Sequence, residues 1–396
     1  MREALSMASV RGVAAATLLL AVLGPALPAS GAEAPRYWSV ATADSLMKRH
    51  PDFTKAYWRP WTYVHGYVLY GFERLWKQTG DPRYFDYMKA YVDRWVLPDG
   101  TIPVFNGGSL DDFMTGNIVV ALYEHTREER YRKAAVEMRR YFDDYPRNRD
   151  GGFWHGRRTT GQMWIDGVFM GQMFLTRYGK SIGESEYAFD EATRQITLYA
   201  GHARKGTSGL FYHGWSESPE TRWADLRTGL SPEVWSEGLG WYALLLAETL
   251  PLLPADHPRR AEVLDIFVNL VAGLRRTQEP STGRWFQVVD KGDHPDNWTD
   301  TSGSAMFVYA IQRAIELGYV DAATYRPVVE KGYRGLVDKA TIDADGLVTV
   351  TGACDGLGVQ RTFYDYLHYP QKANAKEAVA GFLWATAIVE KPGSSR

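Results

Sequence analysis

Apolar residues recur along most of the chain with the spacing of amphipathic helices, and these helical segments come in pairs. In the first pair, apolar side chains repeat every three or four positions from Trp61 to Leu75. The turn Thr79-Gly80-Asp81-Pro82 then supplies a glycine stop, an aspartate N-cap and a proline at the first position of the next helix. The pattern predicts a protein built from helical hairpins.

The two members of each pair differ in their content of Asp, Glu, Lys and Arg. The first members carry two or three such residues each and span 61–78, 112–125, 162–178, 234–250 and 302–317. The second members carry five to nine each and span 82–96, 127–142, 184–203, 257–276 and 321–339. A helix with almost no charge on any face is expected to be buried, whereas a charged helix faces water. Each pair therefore predicts one inner and one outer helix.

A sixth pair can be made from segment 374–390 and an N-terminal segment near 38–49. Six hairpins close into a double ring, so the predicted fold is all-α, an (α/α)6 barrel. Before the inner helices, a polar residue followed directly by a glycine recurs along the chain. Each such pair is followed by a short β-prone patch: TIPVF, GFWH, LFYH, RWFQVV and LVTV. Because each patch leads into the N-terminus of an inner helix, these loops are predicted to share one rim, where helix dipoles direct partial positive charge.

Aromatic residues are concentrated on this predicted rim. The chain contains 14 Trp and 24 Tyr, and tryptophans beside polar groups in a cleft are typical of a carbohydrate site. His155 and His213 each close a β-prone patch. The expected substrate-binding side chains are His155, Trp164, Trp215, Trp235, Glu237, Trp241 and Trp285.

Acidic residues stand out near the starts of the inner helices because those helices carry so little charge. Asp111 and Asp300 could be helix caps, and Glu237 could be a first-turn acid favoured by the helix dipole. Asp166 in GQMWIDGVFM lies past the cap position and between apolar neighbours. Such surroundings are expected to raise the pKa of a carboxyl group, and a raised pKa suits a general acid at neutral pH.

Composition excludes several other kinds of function. A net charge of −2 argues against a nucleic-acid or anionic-membrane partner. The single cysteine, Cys354, cannot form an intramolecular disulfide. The chain contains no H-E-x-x-H zinc motif and no P-loop, and we expect neither a serine nucleophile elbow nor a metal or organic cofactor.

The first 32 residues have the character of a secretory signal peptide. Arg2 and Arg11 flank a short apolar core, and small residues follow up to Ala32. We therefore expect cleavage near residue 32, a single catalytic domain over 33–396, and a secreted or periplasmic protein with no membrane contact after cleavage. A monomer or weak dimer is expected.

Several spaced motifs resemble those of glycoside hydrolase family 105, the unsaturated rhamnogalacturonyl hydrolases. The resemblance runs from about residue 38 to 390. It is carried by WTYVHGYVLYGFERLWKQTGDPRYFDYM, SLDDFMTGN, GGFWH, QMWIDGVFM, GLFYHGW, WSEGLGWYA, WFQVVD and TSGSAMFVYA, in that order.

The resemblance implies an (α/α)6 barrel and an unusual reaction. Members of the family hydrate the C4=C5 double bond of an unsaturated uronyl sugar left at a chain end by a polysaccharide lyase, and the aglycone is then released. Asp166 matches the family's general acid/base and Asp111 a second active-site carboxylate. His213 matches a histidine that positions substrate and water, and Trp164 and Trp241 match tryptophans that contact the sugar ring. The expected partner is therefore an oligosaccharide with a terminal unsaturated uronic acid.

The motif Trp235-Ser236-Glu237-Gly238-Leu239-Gly240-Trp241 departs from a common family form, which has Arg in the position of Glu237. The sugar carboxylate would then need another partner, for which Arg157, Arg158, Arg284 and Lys291 are candidates, and a lyase product other than a rhamnogalacturonan fragment is expected. Three alternatives stay open. They are a conventional inverting glycosidase that pairs Asp166 with Glu237 or Asp111, a sugar epimerase on the same fold, and a non-catalytic carbohydrate-binding toroid.

Overall fold

A computed structural model of the chain describes residues 34–393, so the predicted signal peptide lies outside the described residues. The described part contains thirteen α-helices. Their bounds are α1 Trp38–Arg49, α2 Tyr63–Thr79, α3 Pro82–Trp95, α4 Gly116–Thr126, α5 Glu129–Arg140, α6 Ile165–Ser181, α7 Ser185–Ala203, α8 Ser236–Thr249, α9 Arg260–Thr277, α10 Thr301–Glu316, α11 Ala322–Val337, α12 Phe363–Leu367 and α13 Lys376–Glu390.

Twelve of these helices form two concentric layers. The inner ring runs α2, α4, α6, α8, α10 and α13, and α13 packs against α2 to close it. Each inner helix is backed by one outer helix: α3, α5, α7, α9, α11 and, for α13, the N-terminal α1. The predicted (α/α)6 barrel is confirmed, including the pairing of the two ends of the chain.

The difference in charge between the helix layers matches a difference in burial. Every residue of α8 is buried, and α13 is nearly as enclosed. The outer helix α5 buries only the face that carries Tyr131, Ala134 and Met138. Each large apolar side chain that the ring removes from water contributes roughly 1.5–3 kcal/mol, so the uncharged inner helices supply most of the stabilisation.

The turn signals act as expected at the α2–α3 and α10–α11 hairpins. Gly80 adopts a left-handed conformation (φ 70°) that ends α2, and the Asp81 carboxylate accepts the Arg83 N–H at the start of α3. Asp321 caps α11 in the same way. Helix α5 is different, because its N-cap residue Glu128 makes no side-chain capping bond.

Six short strands lie in the loops that precede the inner helices. They pair as three antiparallel ribbons: β1 Gln162–Trp164 with β2 Gly214–Ser216, β3 Trp285–Phe286 with β4 Thr299–Asp300, and β5 Ala340–Ile342 with β6 Val348–Val350. Of the predicted β-prone patches, 284–289 and 347–350 contain strands, whereas Phe153 and Phe211 form only single bridges. The patch 101–105 is a turn, since no strand lies beside it to accept its hydrogen bonds. Among the described residues, no helix combines the length and apolarity that a membrane crossing requires.

Candidate active site

A cavity of about 320 Å³ opens among the N-termini of inner helices, on the predicted rim. Seven residues that the sequence singled out line it: Asp111, His155, Trp164, Asp166, Trp235, Glu237 and Trp241. Its remaining lining residues are Trp58, Tyr63, Met170, Asp355, Gly356, Leu357, Gly358, Tyr369 and Lys376. A cavity of this size accommodates one sugar ring with part of its neighbour.

Asp166 lies in the first turn of α6, directly after strand β1, and has a hydrogen-bonding partner. Its Oδ2 lies 3.0 Å from Nε2 of His213, and Nδ1 of that imidazole lies 2.8 Å from the Tyr366 hydroxyl. The Ile165 N–H donates to the His213 carbonyl, which fixes the two segments side by side. The neighbours of Asp166 in sequence are apolar, as noted, but in space the imidazole of His213 lies against its carboxyl group.

The hydrogen bonds of Tyr366 favour one tautomer of His213. The Tyr366 oxygen accepts the Gln360 N–H, and its own proton is free to be donated to Nδ1. Nε2 then carries the imidazole proton and donates it to Asp166. The His213 side chain is fully buried, so it holds the Asp166 carboxyl in orientation from behind and does not line the cavity.

The two neighbouring aspartates Asp111 and Asp112 have different roles. Both lie in a short 3-10 turn that Ser109 caps, so Asp111 is not the helix cap that the sequence allowed. The Asp112 carboxylate accepts the backbone N–H groups of Gly108 and Ser109 and completes that cap. Asp111 faces the cavity with 29% of its side chain exposed there. Burial, and next the charge of Asp166, raise the pKa of Asp111 well above its usual value.

Aromatic rings form much of the cavity wall around Asp111 and Asp166. Trp164 stacks on His155 with ring centroids 4.2 Å apart and planes 7° apart. Trp241 stacks on Phe169 at 4.9 Å. Burial lowers the pKa of His155 to about 4, so this imidazole is neutral at neutral pH. Its Nε2 lies 3.7 Å from the Asp111 carboxylate, and its Nδ1 has no protein partner among the described residues.

The opposite wall combines a lysine with several acids. Lys376, the first residue of α13, places Nζ 2.9 Å from Glu377 and 3.3 Å from Asp355. The Tyr63 hydroxyl also donates to Glu377. Glu237 lies in the first turn of α8 with only 1% of the residue exposed.

Two predicted tryptophans lie outside the cavity. Trp215 pairs with Met163 in the β1–β2 ribbon, whereas the cavity residue Trp164 pairs with Gly214. Because successive strand residues face opposite sides, Trp215 points away and stacks on His202 with centroids 3.6 Å apart. Trp285 is fully buried and donates its indole N–H to the Leu274 carbonyl, so it fills space between α9 and α10.

The four basic residues expected near the sugar carboxylate also lie outside the cavity lining. Arg157 pairs with Asp144 and Lys291 with Glu233. Arg284 donates to Gly335 and Thr299 and so connects α11 to β4. Arg158 is exposed at the surface.

Sequence reasoning missed the loop between β6 and α13, which supplies Asp355 to Gly358 and Tyr369. The LVTV patch placed this loop on the rim, but apart from the short helix α12 the loop has no periodic pattern that shows which of its side chains face the cavity. Trp58 was also missed, although an exposed tryptophan just before an inner helix was a usable signal. It is 62% exposed at the cavity mouth.

Two further features resemble functional motifs without the necessary surroundings. A Gly-x-Ser-x-Gly sequence occurs at 179–183, but its Ser181 ends α6 and donates to Glu124, so it is no strand-to-helix elbow. Glu73, Glu124 and His125 have the spacing of metal ligands, but Arg177 forms ion pairs with both carboxylates and supplies the positive charge there.

A cavity walled by tryptophans, with paired acids on a helical double ring, is the site of a carbohydrate-active enzyme. The model for Glycosyl Hydrolase Family 88 matches residues 38–391. The structure of a family 105 glycoside hydrolase from Clostridium acetobutylicum superposes with a TM-score of 0.84 and 30% identity, over 89% of this chain and 99% of that one.

Two relatives with described activities are more distant. An unsaturated rhamnogalacturonyl hydrolase of Bacillus subtilis, YesR, is 26% identical over 79% of this chain and 84% of its own length. The unsaturated glucuronyl hydrolase of Bacillus sp. GL1 shares the fold, with a TM-score of 0.65 and 15% identity over 89% of this chain and 96% of that one. The chain belongs to the glycoside hydrolases of families 88 and 105, which act on unsaturated oligosaccharides.

Proposed function

We propose that the protein removes a 4,5-unsaturated uronyl residue from the non-reducing end of polysaccharide-lyase products by hydrating the C4=C5 vinyl ether. The observation that carries this proposal is the placement of Asp166 and Asp111 on the wall of one cavity. Asp166 is oriented by His213, and burial, followed by the charge of Asp166, raises the pKa of the Asp111 carboxyl.

The first chemical step requires a proton at C4 of the unsaturated sugar. Asp166 delivers it to C4, and positive charge develops at C5 beside the ring oxygen. A water molecule adds its oxygen to C5 while its proton passes to Asp166, so one group serves as acid and then as base. The hemiketal at C5 opens to a ketone, the ring oxygen leaves C5, and the resulting hemiacetal at C1 releases the aglycone.

The other residues of the cavity suit this sequence of steps. Trp164 and Trp241 offer flat faces to a sugar ring, and their bulk limits the water that reaches the site. Because burial keeps His155 neutral, its imidazole adds no positive charge beside the acid pair. A single functional acid/base also needs no second carboxylate across the glycosidic bond, unlike an inverting glycosidase.

The test of the reaction compares an unsaturated disaccharide, made by a polysaccharide lyase, with its saturated counterpart. We expect the ultraviolet absorbance of the double bond to disappear as the aglycone appears, and we expect no turnover of the saturated sugar. An analogue with sulfur in place of the glycosidic oxygen should still be cleaved, because protonation occurs at C4. Cleavage of the saturated substrate alone would instead indicate a conventional glycosidase.

Secretion and a monomeric or weakly dimeric state also belong to the proposal. The N-terminal sequence motif of residues 1–32 supports export. Mass spectrometry of the mature protein from its host would locate the cleavage site, and sedimentation would give the oligomeric state.

A further inference from the structure

A uronyl substrate brings a carboxylate into a cavity whose walls already carry several acids. Asp111, Asp166, Glu237 and Asp355 line it, and Lys376 is the one lysine or arginine among the described lining residues. An anion buried without donors is strongly disfavoured. The substrate carboxylate therefore needs specific partners, and the wall formed by the starts of α8 and α13 contains Lys376 and Glu237.

Lys376 is held in place before any substrate arrives. Glu377 and Asp355 accept from its ammonium group, and the Trp58 ring lies 5.2 Å from Nζ. Only 11% of the side chain is exposed, so its charge is directed at the cavity. Burial by itself would lower the pKa of Lys376, but Glu377 and Asp355 outweigh it and raise that pKa, so the group stays charged.

Glu237 faces the same cavity with a free oxygen. Its Oε2 has no hydrogen-bond partner among the described residues, and only 1% of the residue is exposed to solvent. The indole N–H of Trp235, two residues earlier, is likewise buried without a partner and lines the same cavity. Buried polar groups are normally paired, so two open ones on a cavity wall indicate positions that a ligand fills.

The surroundings of Glu237 favour its protonated form. Burial, and next the charges of Glu377 and Asp300, raise its pKa well above the usual value. The charged and titratable groups that act on it lie on several neighbouring elements: Glu377 and Lys376 of α13, Asp300 at the start of α10, Tyr63 and Tyr67 of α2, and Cys354 of the loop after β6. Lys376 is the only cation among them.

From this geometry we infer that the uronyl carboxylate is held between the Lys376 ammonium and the Glu237 carboxyl, which donates a hydrogen bond to it as a carboxylic acid. The bond is a charge-assisted O–H···O⁻ contact, stronger than a neutral one. The Trp235 indole N–H is placed to add a second donor. This inference rests on the proposed function, since it takes the substrate to be a uronide.

If a carboxylic acid binds the substrate carboxylate, affinity depends on pH, whereas binding by an arginine does not depend on pH in this range. When Glu237 loses its proton, the donor becomes a second negative charge against the substrate carboxylate. Affinity should therefore fall as pH rises through the pKa of Glu237, by up to tenfold per pH unit. If Glu237 were instead an ionised acceptor for a sugar hydroxyl, affinity would rise with pH.

The decisive experiment measures binding of the unsaturated disaccharide by calorimetry over a pH series in Asp166→Asn, which leaves the carboxylate-binding wall intact. We expect binding on the alkaline side to take up one proton and to weaken about tenfold per pH unit. In Asp166→Asn/Glu237→Gln, where the amide N–H donates without titrating, we expect affinity within about threefold of the parent at low pH and no proton uptake. The tenfold and threefold figures are order-of-magnitude expectations.

Two controls separate the roles of the substrate and the lysine. The methyl ester of the uronide lacks the anion, so its affinity should not vary with pH. Lys376→Met should weaken binding of the uronide about tenfold or more while leaving the ester little changed, as expected for loss of one buried ion pair.

The outcomes distinguish the inference from the proposed function. Affinity for the uronide that stays flat or improves as pH rises would overturn the inference, even if the wild type turns the substrate over. Proton-linked binding of the uronide without any loss of the double bond in the wild type would support the inference and overturn the proposed reaction.

Discussion

The two ends of the barrel bury acidic residues in opposite ways. At the C-terminal ends of the inner helices, Arg177 pairs with Glu73 and Glu124, while Glu248 pairs with Arg74 and with Arg313. At the N-terminal ends, the carboxyls of Asp111 and Glu237 face a cavity without a cation in direct contact. Both ends are buried, so burial alone does not distinguish them.

The pKa values of Glu248 and of the cavity acids Asp111 and Glu237 shift in opposite directions, because arginines form ion pairs with Glu248 and no lysine or arginine pairs with Asp111 or Glu237 among the described residues. Burial by itself would raise the pKa of Glu248, but Arg74, Arg313 and the hydroxyls of Tyr70 and Tyr309 outweigh it and lower that pKa to about 2. At the cavity, burial and neighbouring acids both act upward on Asp111 and Glu237. The arginine-paired end stabilises the ring, whereas the cavity end carries acids with raised pKa values, an arrangement that is common at functional sites.

The largest expected effect is at the cavity end, in Asp166→Asn. Loss of the acid/base should lower kcat on the unsaturated disaccharide by roughly 10²–10⁴-fold, the usual contribution of a general acid or base. Loss of the double-bond absorbance measures this. Asp144→Asn, an exposed carboxylate with 80% of its side chain accessible, is the matched control and should keep full activity. Near-normal kcat in a folded Asp166→Asn would exclude Asp166 as the acid/base.

The corresponding change at the opposite end is Arg177→Met, which should affect stability and not chemistry. It leaves Glu73 buried without its main cation and should lower the free energy of unfolding by about 3–5 kcal/mol. Denaturant unfolding measures the loss, and kcat of the folded fraction should be unchanged. Arg140→Met, which removes an exposed pair with Glu137, should have an effect of no more than about 1 kcal/mol.

A smaller effect tests whether replacing a carboxyl group with an amide changes the free energy of unfolding in opposite directions at the two ends of the barrel. Asp111→Asn should raise the free energy of unfolding by about 1 kcal/mol, because the folded state disfavours the ionised carboxyl. Glu248→Gln should lower it, because its carboxylate is the form that the arginines stabilise. Thermal unfolding of both variants beside the wild type measures the two shifts.

The pH dependence follows from the two directions of pKa shift. The stability that Glu248 contributes is present above its unfolded pKa, near 4.5, and is lost as pH falls toward about 2. The penalty from Asp111 grows as pH rises above its unfolded value of about 3.9. The gain in Asp111→Asn should therefore be larger at neutral than at acidic pH. Shifts of equal sign in the two variants would refute the contrast between the ends.

The smallest expected effect concerns the cavity mouth. Trp58→Ala removes an exposed ring beside Lys376 and should raise KM for an unsaturated trisaccharide about fivefold, the equivalent of roughly 1 kcal/mol of stacking. The methyl glycoside of the unsaturated sugar should be affected less, because it has no second ring and Lys376 keeps its contacts with Glu377 and Asp355. Tyr364→Ala, an equally exposed aromatic outside the cavity lining, serves as the control. Equal effects on both substrates would argue against a role for Trp58 in binding the aglycone.

Much of the fold and part of the site could be predicted from the chain alone. The number of charged residues distinguished inner from outer helices, because a buried helix tolerates few unpaired charges. The inner helices found in this way form, together with α13, the closed inner ring of the structure. Asp111, Asp166 and Glu237 were found for the same reason, since acids at the starts of uncharged helices stand out. Trp215 and Trp285 were misplaced, because composition does not say which face of a strand a residue occupies.

The sequence by itself determined the helical double ring, the family and the rim on which the acids gather, because these depend on periodic patterns and spaced motifs. Tertiary structure alone decided which groups meet. It paired Asp166 with His213 across 47 residues of sequence and brought Lys376 from the last inner helix to face Glu237. Partners so far apart in sequence leave no local signal, yet hydrogen bonds and charge interactions between groups that are close in space orient Asp166 and shift the pKa values of Asp111 and Glu237.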